Sequence, residues 1–247
     1  MSQSSSSAPR VPAAAMVFAA GLGKRMRPIS DVTPKPLVRV GGRALIDHTL
    51  DRLAEVGVER AVVNVHWLAD QIEAHVAERT SPRILVSDER ATLLEQGGGI
   101  VKALPQLDSD PFFICNTDAF WVEGPRSNLA RLVEAWDPER MDVLLLVAGT
   151  ATSIGVDWPG DFTMEPDGRL VRREERLVAP FVFSGVGLIK PSLFAGETRE
   201  VFGLAPTLFT AAEKGRLYGV RLEGVWLHVG TPEAIEDAER AIARSVL

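Results

Sequence analysis

The sequence predicts an α/β fold built on a doubly wound, mostly parallel sheet with helices on both faces. Short apolar runs, typical of strands buried on both faces, recur along the first half of the chain. Segments with helical spacing of apolar residues lie between them. Strands that alternate with helices across short connections form parallel sheets with right-handed crossovers. After residue 150 the strand-like pieces become shorter, which adds a small β-rich lobe to the prediction.

The first half of the chain contains five strand candidates and two helix candidates. The strands are predicted at Ala15–Ala19, Ala61–Val65, Ile84–Val86, Phe112–Cys115 and Val143–Val147. The apolar face of the first helix is formed by Ile46, Leu50, Leu53 and Val56, and that of the second by Leu68, Ile72, His75 and Val76, with Arg79 at its edge.

The second half of the chain supplies the lobe and two further helices. Short strands are predicted at Phe162–Met164, Leu170–Arg172 and Phe181–Ile189, and helices near Ala205–Lys214 and at Pro232–Ser245. The Ser-rich segment Met1–Pro12 is predicted to be a disordered leader. Residues 13–247 then form one domain, in which residues 13–150 are the main α/β part and residues 151–247 are the lobe with the C-terminal helices.

The charge is unevenly distributed along the chain. The 247 residues are 46% hydrophobic and 24% charged, with a formal net charge of −6, which argues against a general affinity for nucleic acid or an anionic membrane. Between Lys24 and Arg43, however, six basic residues accompany a single acid, Asp31. A basic segment in an acidic protein indicates a local anion site.

The single cysteine and the lengths of the apolar runs indicate the cellular compartment of the protein. Cys115 excludes an intramolecular disulfide and is expected to be a small core residue, so the cytoplasm is the expected location. The longest apolar run, Ala13–Ala20, has only eight residues, whereas a membrane span needs roughly 20. We interpret this run as the first strand and not as a signal peptide, because Pro12 adjoins it and Lys24-Arg25 follow closely.

A glycine loop follows the first predicted strand. Gly21 and Gly23 allow a tight turn whose N–H groups approach a ligand, and Lys24 and Arg25 add charge for phosphates. The loop is neither a dinucleotide fingerprint, which needs a glycine at Met26, nor a Walker A motif, which needs Ser or Thr after the lysine. An ordinary strand-to-helix turn with solvated cations is the alternative. The nearby Thr33-Pro34-Lys35-Pro36-Leu37 favours the phosphate site, because its prolines hold one lysine at a fixed point.

Several motifs together resemble the sugar-1-phosphate nucleotidylyltransferases. They are Ala19-Ala20-Gly21-Leu22-Gly23-Lys24-Arg25-Met26-Arg27-Pro28, Thr33-Pro34-Lys35-Pro36-Leu37, Asn64-Val65-His66-Trp67-Leu68, Leu94-Glu95-Gln96-Gly97-Gly98-Gly99, Asn116-Thr117-Asp118 and Trp226-Leu227-His228-Val229-Gly230-Thr231. This family joins a nucleoside triphosphate to a sugar 1-phosphate and releases pyrophosphate. The resemblance implies the Rossmann-like fold of the nucleotide-diphospho-sugar transferases, with residues 13–150 binding the nucleotide and the lobe binding the sugar.

Within the family, the chain is most similar to the uridylyltransferases of cell-wall recycling that act on N-acetylmuramate 1-phosphate. The expected substrates are therefore UTP and that sugar phosphate. Mannose 1-phosphate guanylyltransferases share much of the pattern, so GTP with mannose 1-phosphate is the alternative. A catalytically inactive relative that binds sugar nucleotides as a sensor is the alternative outside the enzymes.

The resemblance and the reaction chemistry give three residues catalytic roles. Arg25 suits the β- and γ-phosphates of the departing pyrophosphate, and Lys35 suits the α-phosphate or the incoming sugar phosphate. Asp118 follows a predicted strand, at the edge where such sheets bind ligands. The family match makes it the ligand of Mg²⁺, the expected cofactor, whereas an Asx turn or helix cap is the structural alternative.

The nucleobase is expected to lie against bare backbone at the glycine run, as the resemblance implies. The predicted nucleotide-binding residues are Ala20, Gly21, Gly23, Lys24, Arg25, Gln96, Gly97 and Gly98. The predicted sugar-binding residues, taken from their position in the lobe, are Gly160, Asp161, Ser184 and Gly185.

His228 departs from the family pattern, which has a second metal-binding aspartate at this position. Neutral imidazole binds Mg²⁺ poorly but can bind Mn²⁺ or hydrogen-bond a phosphate. We therefore expect Asp118 to hold the metal with His228 as a weak partner. A histidine with only a structural hydrogen bond is the alternative.

Overall fold

A central sheet of nine strands organises the protein in a computed structural model that describes residues 10–245. In chain order the strands are β1 (Ala14–Phe18), β2 (Arg39–Val40), β3 (Arg43–Ala44), β4 (Arg60–Val65), β5 (Arg83–Asp88), β6 (Phe112–Asn116), β7 (Ala119–Glu123), β8 (Val143–Gly149), β9 (Phe162–Met164), β10 (Leu170–Arg172), β11 (Phe181–Ile189), β12 (Leu217–Arg221) and β13 (Gly224–His228). The helices are α1 (Leu45–Val56), α2 (Ala69–Val76), α3 (Glu95–Leu107), α4 (Asn128–Ala135), α5 (Ala205–Glu213) and α6 (Pro232–Ser245).

The parallel part of the sheet has the order β6-β1-β4-β5. The chain runs outward from β1 through β4 to β5 and then returns across α3 to β6, on the other side of β1. This reversal between β1 and β6 is the kind of switch point at which doubly wound sheets bind ligands beyond the carboxyl ends of their strands. The predicted doubly wound fold is confirmed.

The apolar spacing of the helices decides which face of the sheet each one covers. Residues of α1, α2 and α4 pack into the core on one face, and residues of α3 and α5 into the core on the other. A third, smaller core lies under α6, between β13 and the loop before α1. Cys115 is buried within β6, as predicted, and burial raises the pKa of its thiol.

The predicted strands of the first half are all present, with ends shifted by one or two residues. The strands of the lobe have the predicted bounds, and they belong to the central sheet. β9 and β10 form a hairpin that pairs with β11, and β11 lies antiparallel between β6 and β8, so these strands extend the central sheet and do not form a sheet of their own. β12 extends it further by pairing parallel with β8.

The predicted leader, Met1–Pro12, lies outside the described residues as far as Pro9. Its last part was assigned wrongly, because Val11 packs against the core and Pro12 is buried. Between residues 10 and 245, no helix combines the length and the apolar character that crossing a membrane requires.

Candidate active site

A cavity of about 500 Å³ opens at the carboxyl ends of β1, β4 and β6. Its lining comes from the loops that follow these strands and from the start of α3. The lining residues are Phe18, Ala19, Ala20, Gly21, Gly23, Lys24, Arg25, Lys35, Pro36, Asn64, Leu93, Glu95, Gln96, Asn116, Thr117, Asp118, Gly203 and Gly230. All three predicted catalytic residues are among them.

The glycine loop presents two unneutralised cations to this cavity. Gly23 has φ +61°, and a Cβ at this position would lie only 3.1 Å from the Ser30 side chain and 3.2 Å from that of Lys35, so glycine is required there. A single 3₁₀ turn, Lys24–Met26, follows and is anchored by buried Met26. Among residues 10–245, Lys24 and Arg25 have no ion-pair partner, and both are exposed.

Not all cations of the basic segment belong to this cavity. Arg27 lies outside the lining, and its Nε is 3.0 Å from Asp31 Oδ1. Arg43 is likewise paired with Asp51. The cations facing the cavity are therefore Lys24, Arg25 and Lys35.

Lys35 lines the cavity with little exposure to solvent. It begins a 3₁₀ turn between Pro34 and Pro36, and its side chain is only 13% exposed. Its Nζ donates a hydrogen bond of 3.1 Å to Asp118 Oδ2. A fixed ammonium group therefore lies beside the carboxylate.

Asp118 connects the end of β6 to β13. Its backbone oxygen accepts a hydrogen bond of 2.8 Å from the N–H of Val229, the residue after His228. Burial by itself would raise the pKa of Asp118, but the His228 ring and the Lys35 ammonium outweigh burial and hold that pKa well below its ordinary value. Asp118 is therefore ionised at neutral pH.

The His228 ring is fixed by its neighbours. It stacks on the Trp226 ring, meets the Trp158 ring edge-on, and is 11% exposed. Its Nδ1 is 3.2 Å from the backbone oxygen of Gly155. Nδ1 must donate to that carbonyl, so in the neutral ring the Nε2 lone pair faces Asp118 Oδ2 at 3.7 Å.

The donor set at this point suits a divalent cation bound together with phosphates. No group of three or more acidic, histidine or cysteine side chains arranged for a metal is present between residues 10 and 245. Asp118 and His228 offer one carboxylate and one ring nitrogen. Mg²⁺ in proteins is often held by only one or two carboxylates, with substrate phosphates and water as its remaining ligands. The residues therefore fit a metal that arrives with a triphosphate.

The start of α3 contributes Glu95 and Gln96 to the cavity lining. Gln96 Nε2 donates 2.9 Å to Asn116 Oδ1, which leaves the Gln96 carbonyl oxygen available to a ligand. Glu95 starts α3 with φ +61°, a backbone conformation that a residue with a Cβ seldom adopts and that often marks functional sites. Sequence reasoning missed Asn64, Asn116 and Glu95 as lining residues.

The chain itself occupies the open faces of Gly97 and Gly98, two of the residues predicted to bind the nucleotide. A Cβ on Gly97 would lie 2.2 Å from the Phe202 ring, and one on Gly98 would lie 2.1 Å from the Glu200 backbone oxygen. Both N–H groups donate to the backbone oxygen of Phe202. Neither glycine lines the cavity, whereas the predicted Gln96 does.

The predicted sugar-binding residues have internal roles and lie outside the cavity lining. Asp161 accepts a hydrogen bond of 2.8 Å from the Phe183 N–H, and Ser184 donates 2.8 Å to the backbone oxygen of Leu146. Gly160, with φ +83°, packs against the Ala179 carbonyl.

Gly185 contributes to the cavity indirectly. It lies in the irregular part of β11, where the pairing with β8 shifts register between Phe183 and Gly187. A Cβ on Gly185 would lie 2.8 Å from that of Asn116. The glycine therefore makes room for a side chain that lines the cavity.

Within the described chain, the glycine loop carries unpaired cations, and a carboxylate lies at the switch point of the doubly wound sheet. These features together are those of a nucleotidyltransferase. The chain belongs to the MobA-like NTP transferase family, whose model matches residues 15–203. The predicted sugar-1-phosphate nucleotidylyltransferase family is thereby confirmed.

Two curated relatives and one solved structure illustrate the similarity. The chain is 46% identical over 240 residues to the N-acetylmuramate alpha-1-phosphate uridylyltransferase of Caulobacter vibrioides, covering 96% of this chain and 99% of the relative. It is 36% identical to the enzyme of the same name from Neisseria meningitidis, covering 91% of this chain and 96% of the relative. The inositol-1-phosphate CTP transferase from T. maritima has the same fold, with a TM-score of 0.76 at 20% identity, covering 96% of this chain and 99% of that one.

We predict that Gly97→Ala destabilises the protein by about 1–3 kcal/mol, because the added methyl group would overlap the Phe202 ring. Urea unfolding without ligand measures this. Gly21→Ala is the matched control, since a Cβ at Gly21 meets nothing within 4 Å, and it should change the free energy of unfolding by less than about 0.5 kcal/mol. Equal effects of the two substitutions would contradict the assigned role of Gly97.

Proposed function

We propose that this protein transfers a uridylyl group from UTP to N-acetylmuramate 1-phosphate and releases pyrophosphate. The observation that carries the proposal is that Arg25, Lys35 and Asp118 line one cavity, with Lys35 hydrogen-bonded to Asp118. Both curated relatives described above are uridylyltransferases named for this sugar phosphate. We further propose that residues 13–247 act as one catalytic domain and that the reaction takes place in the cytoplasm.

The reaction needs charge neutralisation and alignment. An oxygen of the sugar phosphate attacks the α-phosphorus and forms a new P–O bond, while the bond from that phosphorus to the bridging oxygen breaks and pyrophosphate leaves. No general base is needed, because the attacking phosphate oxygen is already deprotonated. The protein must bring two anions together in line, so fixed cations supply most of the catalysis.

The cations of the site divide this task. Lys24 and Arg25, exposed and unpaired within the described chain, suit the β- and γ-phosphates and the leaving pyrophosphate. Lys35 lies deeper, and its contact with Asp118 orients its ammonium before any ligand arrives. We assign Lys35 to the α-phosphate and the incoming sugar phosphate.

Asp118 and His228 are the proposed metal ligands. Bound there, Mg²⁺ would neutralise phosphate oxygens as a Lewis acid. Asp118 remains ionised because the Lys35 ammonium stabilises its negative charge. His228 contributes Nε2, whose orientation follows from the contact between Nδ1 and the Gly155 carbonyl.

One feature favours GTP with mannose 1-phosphate as the second candidate. The Glu95 carboxylate lines the cavity, and a carboxylate can accept both donors on the Watson–Crick edge of guanine. Uracil offers one N–H donor, which the free Gln96 carbonyl can accept, so Gln96 suffices for UTP. The sensor alternative requires that nucleotide binds without turnover.

A substrate panel tests the proposed function. Purified protein with Mg²⁺ is given UTP, GTP, dTTP or CTP against N-acetylmuramate 1-phosphate, mannose 1-phosphate or glucose 1-phosphate, and pyrophosphate release is measured. We expect UTP with N-acetylmuramate 1-phosphate to have a kcat/KM at least about tenfold above every other pair. A preference for GTP with mannose 1-phosphate would support the second candidate, and nucleotide binding without release would support the sensor.

Removal of the proposed catalytic cations should lower turnover. Lys35→Ala and Arg25→Ala are each expected to reduce kcat by about 10²–10³-fold, because each removes a preorganised charge from the transition state. Arg27→Ala is the matched control on the same loop, since Arg27 pairs with Asp31 and lies outside the cavity. Near-normal rates for Lys35→Ala or Arg25→Ala would refute the assignment.

His228→Asp should change the metal dependence. A second carboxylate favours Mg²⁺, so we expect the Mg²⁺ concentration for half-maximal rate to fall about tenfold and the preference for Mn²⁺ over Mg²⁺ to decrease. Mn²⁺ binding in the presence of UTP, followed by electron paramagnetic resonance, gives a readout independent of turnover. His75→Gln, outside the cavity, is the control. Unchanged metal affinities in His228→Asp would show that His228 is not a ligand.

A further inference from the structure

Glu89 is a buried carboxylate that the proposed chemistry does not use. It is 1% exposed, lies outside the cavity lining, and has no cationic partner among residues 10–245. Its Oε1 accepts a hydrogen bond of 2.8 Å from Asn64 Nδ2, and its Oε2 accepts one of 3.1 Å from the N–H of Leu94. Burial of a carboxylate costs free energy, and two neutral donors offset only part of that cost. Glu89 therefore indicates a role in shaping the site and not in packing the core.

Asn64 carries this contact to the other wall of the cavity. Its Oδ1 accepts a hydrogen bond of 2.8 Å from the N–H of Ala19, the first residue after β1. Asn64 thus donates to Glu89 on one side and accepts from the backbone of the glycine loop on the other. A continuous path joins Ala19, Asn64, Glu89 and Leu94.

Gly99 allows the start of α3 to approach this path. A Cβ there would lie 2.8 Å from Glu89 Oε1 and 3.1 Å from Asn64 Nδ2. No side chain larger than hydrogen fits without displacing the pair. The third glycine of the run therefore serves the Asn64–Glu89 contact.

Both ends of this path reach the cavity lining. Ala19 and Asn64 line the cavity themselves, and Leu94 lies between the lining residues Leu93 and Glu95. Within the described chain, neither Lys35 nor Asp118 contacts Asn64 or Glu89 by a hydrogen bond. The Asn64–Glu89 pair therefore links two segments of the lining separately from the Lys35–Asp118 ion pair.

We propose that Asn64 and Glu89 are positioning residues for the nucleobase, which they serve by holding the Ala19–Ala20 backbone and the Leu94–Gln96 turn at the separation that the base requires. This inference rests on the proposed function, since it takes the base to lie between these two segments. Glu89 lies outside the cavity lining, and Asn64, which belongs to it, acts through its contacts with Ala19 and Glu89. Their effect should be confined to nucleoside binding.

The direction of the hydrogen bond from Asn64 to Glu89 can be reversed by substitution, and this reversal tests the proposal. Glu89→Gln places an amide where two donors already point, and Asn64→Asp places a second carboxylate beside Glu89. The double variant Asn64→Asp/Glu89→Gln reverses the polarity and restores every bond. The introduced carboxylate accepts from Ala19 and from the introduced amide, whose oxygen accepts from Leu94.

Calorimetry on the full chain, with Mg²⁺ and no sugar phosphate, measures the dissociation constants of UTP and of inorganic pyrophosphate. We expect each single variant to weaken UTP binding about tenfold or more, the double variant to return within about threefold of wild type, and pyrophosphate binding to change less than about twofold throughout. Asp88→Asn, the neighbouring carboxylate on the surface, is the control and should bind both ligands normally.

Three results would overturn the proposal: normal UTP binding by the single variants, a double variant no better than they are, or equal losses for UTP and pyrophosphate. If a single variant fails to fold, the double variant and Gly99→Ala decide. Gly99→Ala should weaken UTP binding but not pyrophosphate binding, and normal UTP binding by Gly99→Ala would count against the proposal. Calorimetry measures binding without turnover. If the substrate panel releases no pyrophosphate, the proposed function is refuted, and the comparison of UTP binding with pyrophosphate binding still tests this inference.

Discussion

The ion pair between Lys35 and Asp118 is the contact on which the phosphate end of the site depends. The two residues are 83 positions apart, one in a turn held by prolines and the other at the end of β6. Asp118 also accepts the Val229 N–H, which holds the end of β13 against the same point and with it the His228 ring. Two contacts of Asp118 thereby unite three distant segments. A site for two anions gains most when its charges are in place before the ligands arrive, because reorganisation is then avoided during the reaction.

Two kinds of interaction build the cavity. Charges dominate where Lys24, Arg25 and Lys35 line it. Around Ala19 and Leu94, buried hydrogen bonds hold the lining in place, with Asn64 in the lining and Glu89 behind it. The difference matches the substrate, since phosphates are recognised by charge and a base by shape and hydrogen-bond polarity. Binding of the two parts can therefore be altered separately.

Periodicity and turn chemistry predicted most of the fold, but the sequence could not reveal what fills the space beside a residue. The runs that became β1, β4 and β6 were recognisable because a strand buried on both faces leaves a continuous apolar pattern. The glycine run indicated that a Cβ does not fit at these positions. It did not indicate that the space is occupied by Phe202 and Glu200 and not by a ligand. Glu89 stands in the charged stretch Ser87-Asp88-Glu89-Arg90, where a buried carboxylate is indistinguishable from a solvated one. The sugar residues were chosen by position alone, and position along the chain does not determine which side of β11 faces the cavity.

The distribution of charge explains how an acidic protein can bind a triphosphate. The chain carries a net charge of −6, so the average field repels anions. Within the basic segment, Arg27 pairs with Asp31 and Arg43 with Asp51. Lys35 pairs with one carboxylate. Lys24 and Arg25 remain uncompensated within the described chain. Over distances longer than the Debye length of about 8 Å the surrounding acids are screened, so an approaching phosphate senses mainly the nearest cations. A small phosphorylated ligand therefore needs only the cations of the cavity, and the net charge of the chain does not prevent its binding.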